Sequence, residues 1–157
     1  MKTTTPTRRK PALPCVVLLF CLAITGCEYD VPATKEPTRG VDDRLVGDWI
    51  AMGGWMKVRR LDANGYVIFH DGKLYRAWHS ELAGLPLVSV QDIDSEKRKF
   101  AYLGYSLSDD GRRLTLRVVN DKLIPDETRD AERIKTLFEK HHGAPSLFGE
   151  GFVYVKQ

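Results

Sequence analysis

His70, Asp71, His79, Ser80 and Glu81 are the densest group of side chains in this 157-residue chain that could do chemistry. Two imidazoles and a carboxylate could hold a metal ion, and a serine beside a histidine could be a nucleophile with its base. The spacing argues against both. Asp71-Gly72 reads as a two-residue hairpin turn between Tyr66–His70 and Lys73–His79, since a type I′ turn needs positive φ at both central positions. That turn pairs His70 with Lys73 and sets His79 opposite Asn64. The two histidines then lie about six residues apart along the strand, too far for one ion at ~3.3 Å per residue. Ser80 lacks the Gly-x-Ser-x-Gly setting of a nucleophile elbow. His141 and His142 are helical neighbours pointing about 100° apart, a poor pair of ligands. Cys15, Cys21 and Cys27 all precede residue 28, so the remainder has no disulfide, no CxxC zinc site and no cysteine nucleophile. The chain is therefore expected to be non-enzymatic, with no catalytic set, no metal and no cofactor.

Charge removes a further class. The chain has 24 basic and 21 acidic residues, and four of the basic ones (Lys2, Arg8, Arg9, Lys10) precede residue 28, where there is no acid. The remainder is close to neutral, which gives no electrostatic footprint for nucleic acid. Lys57, Arg59 and Arg60, and Glu96-Lys97-Arg98-Lys99, read as solvated edges and turns.

The first 27 residues are patterned as an export signal. The four basic residues form a positive start. Cys15 to Ile24 is an apolar run of ten residues, half the ~20 that a bilayer span needs. The run ends in Ile24-Thr25-Gly26-Cys27, which resembles the lipobox of bacterial lipoproteins. The resemblance implies a signal peptide over 1–26, cleavage before Cys27, and a diacylglyceryl group on its sulfur. Two or more acyl chains anchor a protein stably, at about 0.8 kcal/mol per buried CH₂. By the enterobacterial sorting pattern, Glu28 where Asp would retain the protein at the inner membrane favours the outer membrane, facing the periplasm. The inner membrane and the cell surface are the alternatives.

Glu28 to Asp43 has Pro32, Pro37, Gly40 and mixed charge without apolar periodicity. It is expected to be a flexible tether over 27–43 that could extend on the order of 50 Å; packing as an arm is the alternative. Residues 44–157 are expected to form a single domain, a mainly β antiparallel meander closing into a small barrel or sandwich. Strands are expected near 45–52, 56–61, 66–70, 73–80, 86–93, 99–107, 112–119 and 151–156. One amphipathic helix is expected over 126–141, before the last strand. Ala131, Ile134, Leu137, Phe138 and His141 recur at helical spacing there, with Pro125-Asp126 as the start and Gly143 with Pro145 as the stop.

A three-residue loop at Asp109-Asp110-Gly111 would set Ser108 opposite Arg112, Ser106 opposite Leu114, Gly104 opposite Leu116 and Tyr102 opposite Val118. One face then carries Phe100, Tyr102, Gly104, Ser106, Leu114, Leu116 and Val118 without charge, and is expected to line a ligand cavity. Leu45-Val46-Gly47-Asp48-Trp49 resembles the Gly-x-Trp start of lipocalins and lipocalin-like barrels. That resemblance implies a barrel whose closed end is plugged by Trp49. Function is then expected to be the binding of a small apolar or amphipathic ligand by a lipid-anchored envelope protein. The alternative is a protein-interaction module, an inhibitor or an assembly accessory, displayed on the membrane.

Overall fold

A computed structural model describes residues 28–157. The expected signal peptide over 1–26 and the expected acylation site Cys27 lie outside the described residues. Eight antiparallel strands follow one another around a closed barrel. They are β1 (Gly47–Ala51), β2 (Gly54–Arg60), β3 (Gly65–His70), β4 (Lys73–Leu82), β5 (Leu85–Asp92), β6 (Phe100–Leu107), β7 (Arg113–Val119) and β8 (Phe148–Lys156), with one helix, α1 (Ala131–His141), between β7 and β8. β1 pairs with β8 through only Trp49–Lys156 and Ile50–Val155, so closure is narrow at that seam.

The turns explain the order. Asp71 (φ 48°) and Gly72 (φ 81°) join β3 to β4 as a two-residue turn with both centres left-handed. The β6–β7 turn corrects the expected register. Ser108 N–H donates to the Arg113 carbonyl and Gly111 N–H to the Ser108 carbonyl, so the loop has one residue more than a three-residue turn. The Asp110 carboxylate accepts from Arg112 N–H and from the Ser108 hydroxyl, and the extra residue is held by these bonds. Leu107 therefore faces Leu114, Tyr105 faces Leu116 and Leu103 faces Val118. A slip of one residue moves a whole strand face to the other side of the sheet.

The helix starts later than its periodicity suggests. Asp130, not Asp126, is the N-cap, its side chain accepting from Glu132 N–H. Residues 121–129 form turns instead, with Thr128 N–H donating to the Pro125 carbonyl. Ile134 and Phe138 are fully buried, one turn apart on the inner stripe of α1.

Residues 28–43 are an arm packed on the barrel, not a tether. Tyr29 and Phe100 exchange two backbone hydrogen bonds, 2.8 and 2.9 Å. The Tyr29 ring stacks on Tyr102 at 3.9 Å, and its hydroxyl donates to the Ile124 carbonyl at 2.7 Å. Asp30 pairs with Lys99 and Arg129. Further along, Ala33 N–H donates to Ser89 Oγ, Thr38 N–H to the His79 carbonyl and Val41 N–H to the Ala63 carbonyl. Composition suggested a linker because the arm has no repeating period; its anchors are single side chains at irregular intervals.

Two cores result. One lies outside the barrel wall, where Tyr29, Ala33, Leu82, Leu87, Tyr102 and Val119 meet Ile124, Ile134, Phe138 and Leu147. The other lies inside the barrel, around Leu45, Trp49, Met56, Val58, Tyr66, Ala77, Val88 and Leu114.

Candidate functional site

The barrel interior holds a cavity of about 90 Å³. Its walls come from alternate residues of the strands: Met56 and Val58 from β2, Tyr66, Ile68 and His70 from β3, Tyr75 and Ala77 from β4, Val88 and Val90 from β5, Leu103 and Tyr105 from β6, Leu114 and Leu116 from β7, and Tyr154 from β8, with Leu45 beneath. The period of two comes from the pleat, which sends successive side chains to opposite faces.

One end is shut. Trp49 is wholly buried, its indole N–H donates to the Leu45 carbonyl at 2.9 Å, and the Lys156 ammonium sits 5.3 Å from the ring centre. Lys156 Nζ also donates to the Arg44 carbonyl, tying the last strand to the 3₁₀ turn Asp43–Leu45. The lining residues Ile68, His70, Tyr75, Val90 and Tyr154 are half-buried, whereas Leu45, Met56, Val58, Tyr66 and Ala77 are buried. The mouth therefore lies at the end of the β3–β4 turn.

Polar groups sit at both ends of this apolar space. At the mouth, the Tyr154 hydroxyl is 3.3 Å from His70 Nε2, and an Asp71 carboxylate oxygen is 3.7 Å from the same nitrogen. Burial raises the Tyr75 and Tyr154 hydroxyls above their ordinary pKa, with nearby carboxylates adding to it, so both stay protonated donors. Toward the closed end, His79 is almost completely buried, with the Tyr66 hydroxyl 2.7 Å from Nε2 and the Tyr105 hydroxyl 3.2 Å from Nδ1. Asp42 N–H donates to the Tyr66 oxygen at 2.7 Å. One proton assignment satisfies every group: Tyr66 accepts from Asp42 and donates to Nε2, and Nδ1–H donates to Tyr105. Burial first, and then the Arg39 charge, hold His79 down to about 4, with Asp42 opposing. The ring is thus neutral at pH 7 and works as a structural bridge, with both nitrogens occupied by tyrosines.

The register correction divides the expected cavity residues. Leu114 and Leu116 line the cavity. Phe100, Tyr102, Gly104 and Ser106 lie on the opposite face of β6 from Leu103 and Tyr105. Tyr102 and Phe100 belong to the outer core under the arm. Val118 faces Leu103 across the ladder without joining the lining. Gly104 faces the Phe148 ring, 2.6 Å from where a Cβ would stand, and borders a recess of about 170 Å³ that it shares with Leu85, Pro86, Arg117 and Phe148. Tyr66 and Tyr75 were legible in principle, whereas Leu103 and Tyr105 depended on the β6–β7 register. Counting outward by twos from the Asp71-Gly72 turn selects Tyr66, Ile68 and His70 on one strand and Tyr75, Ala77 and His79 on the other.

His70 and His79 stay apart, His70 beside Tyr154 and His79 between Tyr66 and Tyr105. Among the described residues, no three His, Cys, Asp or Glu side chains converge as metal ligands. Among them too, no helix is long and apolar enough to cross a membrane. What the arrangement can do is exclude water from a slim apolar group while His70, Tyr75 and Tyr154 offer hydrogen bonds at the mouth. Comparison with protein-family models, with curated proteins and with solved structures finds no match for this chain.

Proposed function

We propose that this chain is a lipid-anchored protein of the bacterial cell envelope whose lipocalin-like barrel takes up the end of one acyl chain or a similarly slim apolar group. The observation that carries this reading is the apolar cavity, shut by Trp49 at one end and ringed by His70, Tyr75 and Tyr154 at the other. Its size sets the ligand class. At about 90 Å³ it is smaller than the ~150 Å³ space that admits a benzene ring and the ~300 Å³ at which drug-sized pockets begin. A fused ring system is excluded; a chain end threaded from the mouth fits. The protein would hold its ligand without chemistry, attached to the outer membrane through acylated Cys27 and facing the periplasm.

The test is uptake of a fluorescent fatty acid, with native mass spectrometry for copurifying lipid. Wild type should bind the probe, and Leu116→Phe, which fills the cavity from the wall, should remain folded and lose it. A wild type that neither binds the probe nor carries lipid shifts the reading to a protein-interaction module. That second reading has its own observation: Ile50, Trp55, Val153 and Val155 are exposed on β1, β2 and β8, beyond the ordinary scatter of single surface hydrophobics. The anchor is tested separately. Cys27→Ser should move the protein from the membrane to the soluble fraction, and unchanged membrane association would remove the lipid from the proposal.

A further inference from the structure

We propose that the mouth of the barrel lies against the bilayer, with the lipid on Cys27 holding one side of the rim and the Met52-Gly53 turn touching the membrane on the other. The inference rests on the lipid anchor proposed above and adds how the barrel stands on it. Tyr29 is pinned to Phe100 by two backbone hydrogen bonds and by its stack on Tyr102. Two residues of chain separate Cys27 from Tyr29, a span of no more than about 7 Å at ~3.6 Å per residue. The leash is thus a fraction of the reach an unpacked tether would have.

The place of that leash fixes the orientation. Phe100 begins β6, and the 93–99 loop before it lies at the same end of the barrel as the β3–β4 turn, which is the mouth. The β1–β2 turn is at this end too, three to four strands around the ring from β6 and so on the far side of the opening. Met52 at its tip is fully exposed, touching nothing that shields it, and Trp55 below it is two-fifths exposed. The Lys57 ammonium lies 5.3 Å from the Trp55 ring centre. An apolar tip above a Trp with a Lys beside it suits the boundary between acyl chains and headgroups, where aromatic rings and snorkelling lysines settle. Lys97 and Arg98, exposed on the loop before Phe100 beside the exposed Asp94 and Glu96, would stand at headgroup level near the anchor. The turns of the opposite end carry Asp62, Asn64, Asp109, Asp110 and Arg112 beside the exposed Leu61 and the Ala83-Gly84 turn, and none of them presents a Trp. Two contacts on opposite sides of the mouth would bring it down on the membrane, so that a chain end passes from bilayer to cavity without crossing water.

Residues 28–157 contain no cysteine, so one introduced thiol can be labelled cleanly once Cys27 is acylated. The full-length protein carrying Met52→Cys or Asp109→Cys, labelled with an environment-sensitive dye, is placed in phosphatidylethanolamine–phosphatidylglycerol vesicles that contain lipids with a nitroxide on the acyl chain. The dye at position 52 should lose most of its emission and the dye at position 109 should keep it. Equal quenching at the two positions, or full emission at position 52 from protein that is acylated and membrane-bound, overturns the orientation while leaving the anchor in place. A soluble protein whose Cys27 is unmodified by mass spectrometry overturns both the anchor and this inference.

Discussion

The two faces of the barrel wall are packed to different ends. Outside, between the wall and the arm with α1, the side chains of Tyr29, Tyr102, Ile124, Ile134 and Phe138 are all fully buried. Inside, the lining leaves about 90 Å³ empty and several of its members half-buried. Polar groups follow the same division. The outer layer absorbs Ser80 and Ser89 into a bonded pair that reaches Thr34 and Ala33. The interior keeps its histidines at the two ends, each facing tyrosine hydroxyls. Small barrels fill their interior with side chains; here a second close-packed core lies outside the wall. The arm is the device that permits this, since it closes the outer core over β5 and β6.

The largest effect should come from the outer core. Tyr29→Ala removes a ring stack and a buried hydrogen bond to Ile124, and should cost ~3–5 kcal/mol in chemical denaturation. Phe138→Ala should cost about as much. A tether could lose Tyr29 without effect, so an unchanged denaturation midpoint for Tyr29→Ala would return the arm to that status. Leu137→Ala should cost less than either, because Leu137 packs at the margin of that core.

Next comes the buried imidazole. The folded protein holds His79 near 4, below the 6.5 of an unperturbed histidine. The unfolded chain therefore binds the extra proton first as pH falls. The stability is present in full above about 6.5, declines as pH falls through that value, and is lost below about 4, with a span of up to about 3 kcal/mol. Denaturation at a series of pH values checks this, with His79→Phe as the comparison in which that slope should flatten.

Gly104→Leu should cost ~1–3 kcal/mol by overpacking against Phe148, and should leave uptake of the fatty-acid probe unchanged, because position 104 faces away from the cavity. Loss of uptake in a folded Gly104→Leu variant would put the binding space on the outer face instead. The smallest change in stability, within ~1 kcal/mol, is expected for Leu116→Phe, which fills an existing hole. Its effect should appear in ligand uptake alone, and that separation of stability from binding is what the comparison predicts.

Much of the fold was legible in local residues. All eight strands lie where the apolar runs put them, because aromatic and β-branched residues between strong turns fit little else. Asp71-Gly72 fixed one hairpin correctly since the turn chemistry admits two residues and no more. At Asp109-Asp110-Gly111 the glycine is left-handed as expected, yet Ser108 and Asp110 side chains hold one more residue in the loop. That single residue reversed the two faces of β6 and moved Phe100, Tyr102, Gly104 and Ser106 out of the cavity. No periodicity could reveal it, since both faces of β6 carry apolar residues.

The sequence by itself determined the strand order and the absence of cysteine from residues 28–157, because these follow from residue type and short spacing. Tertiary structure decided which face of each strand is inside, that residues 28–43 are an arm, and that His79 is a neutral bridge between Tyr66 and Tyr105. Those outcomes depend on contacts between residues far apart in the chain, 71 positions between Val31 and Tyr102 and 95 between Tyr29 and Ile124. Such contacts join residues distant in sequence and have no signature in any local window.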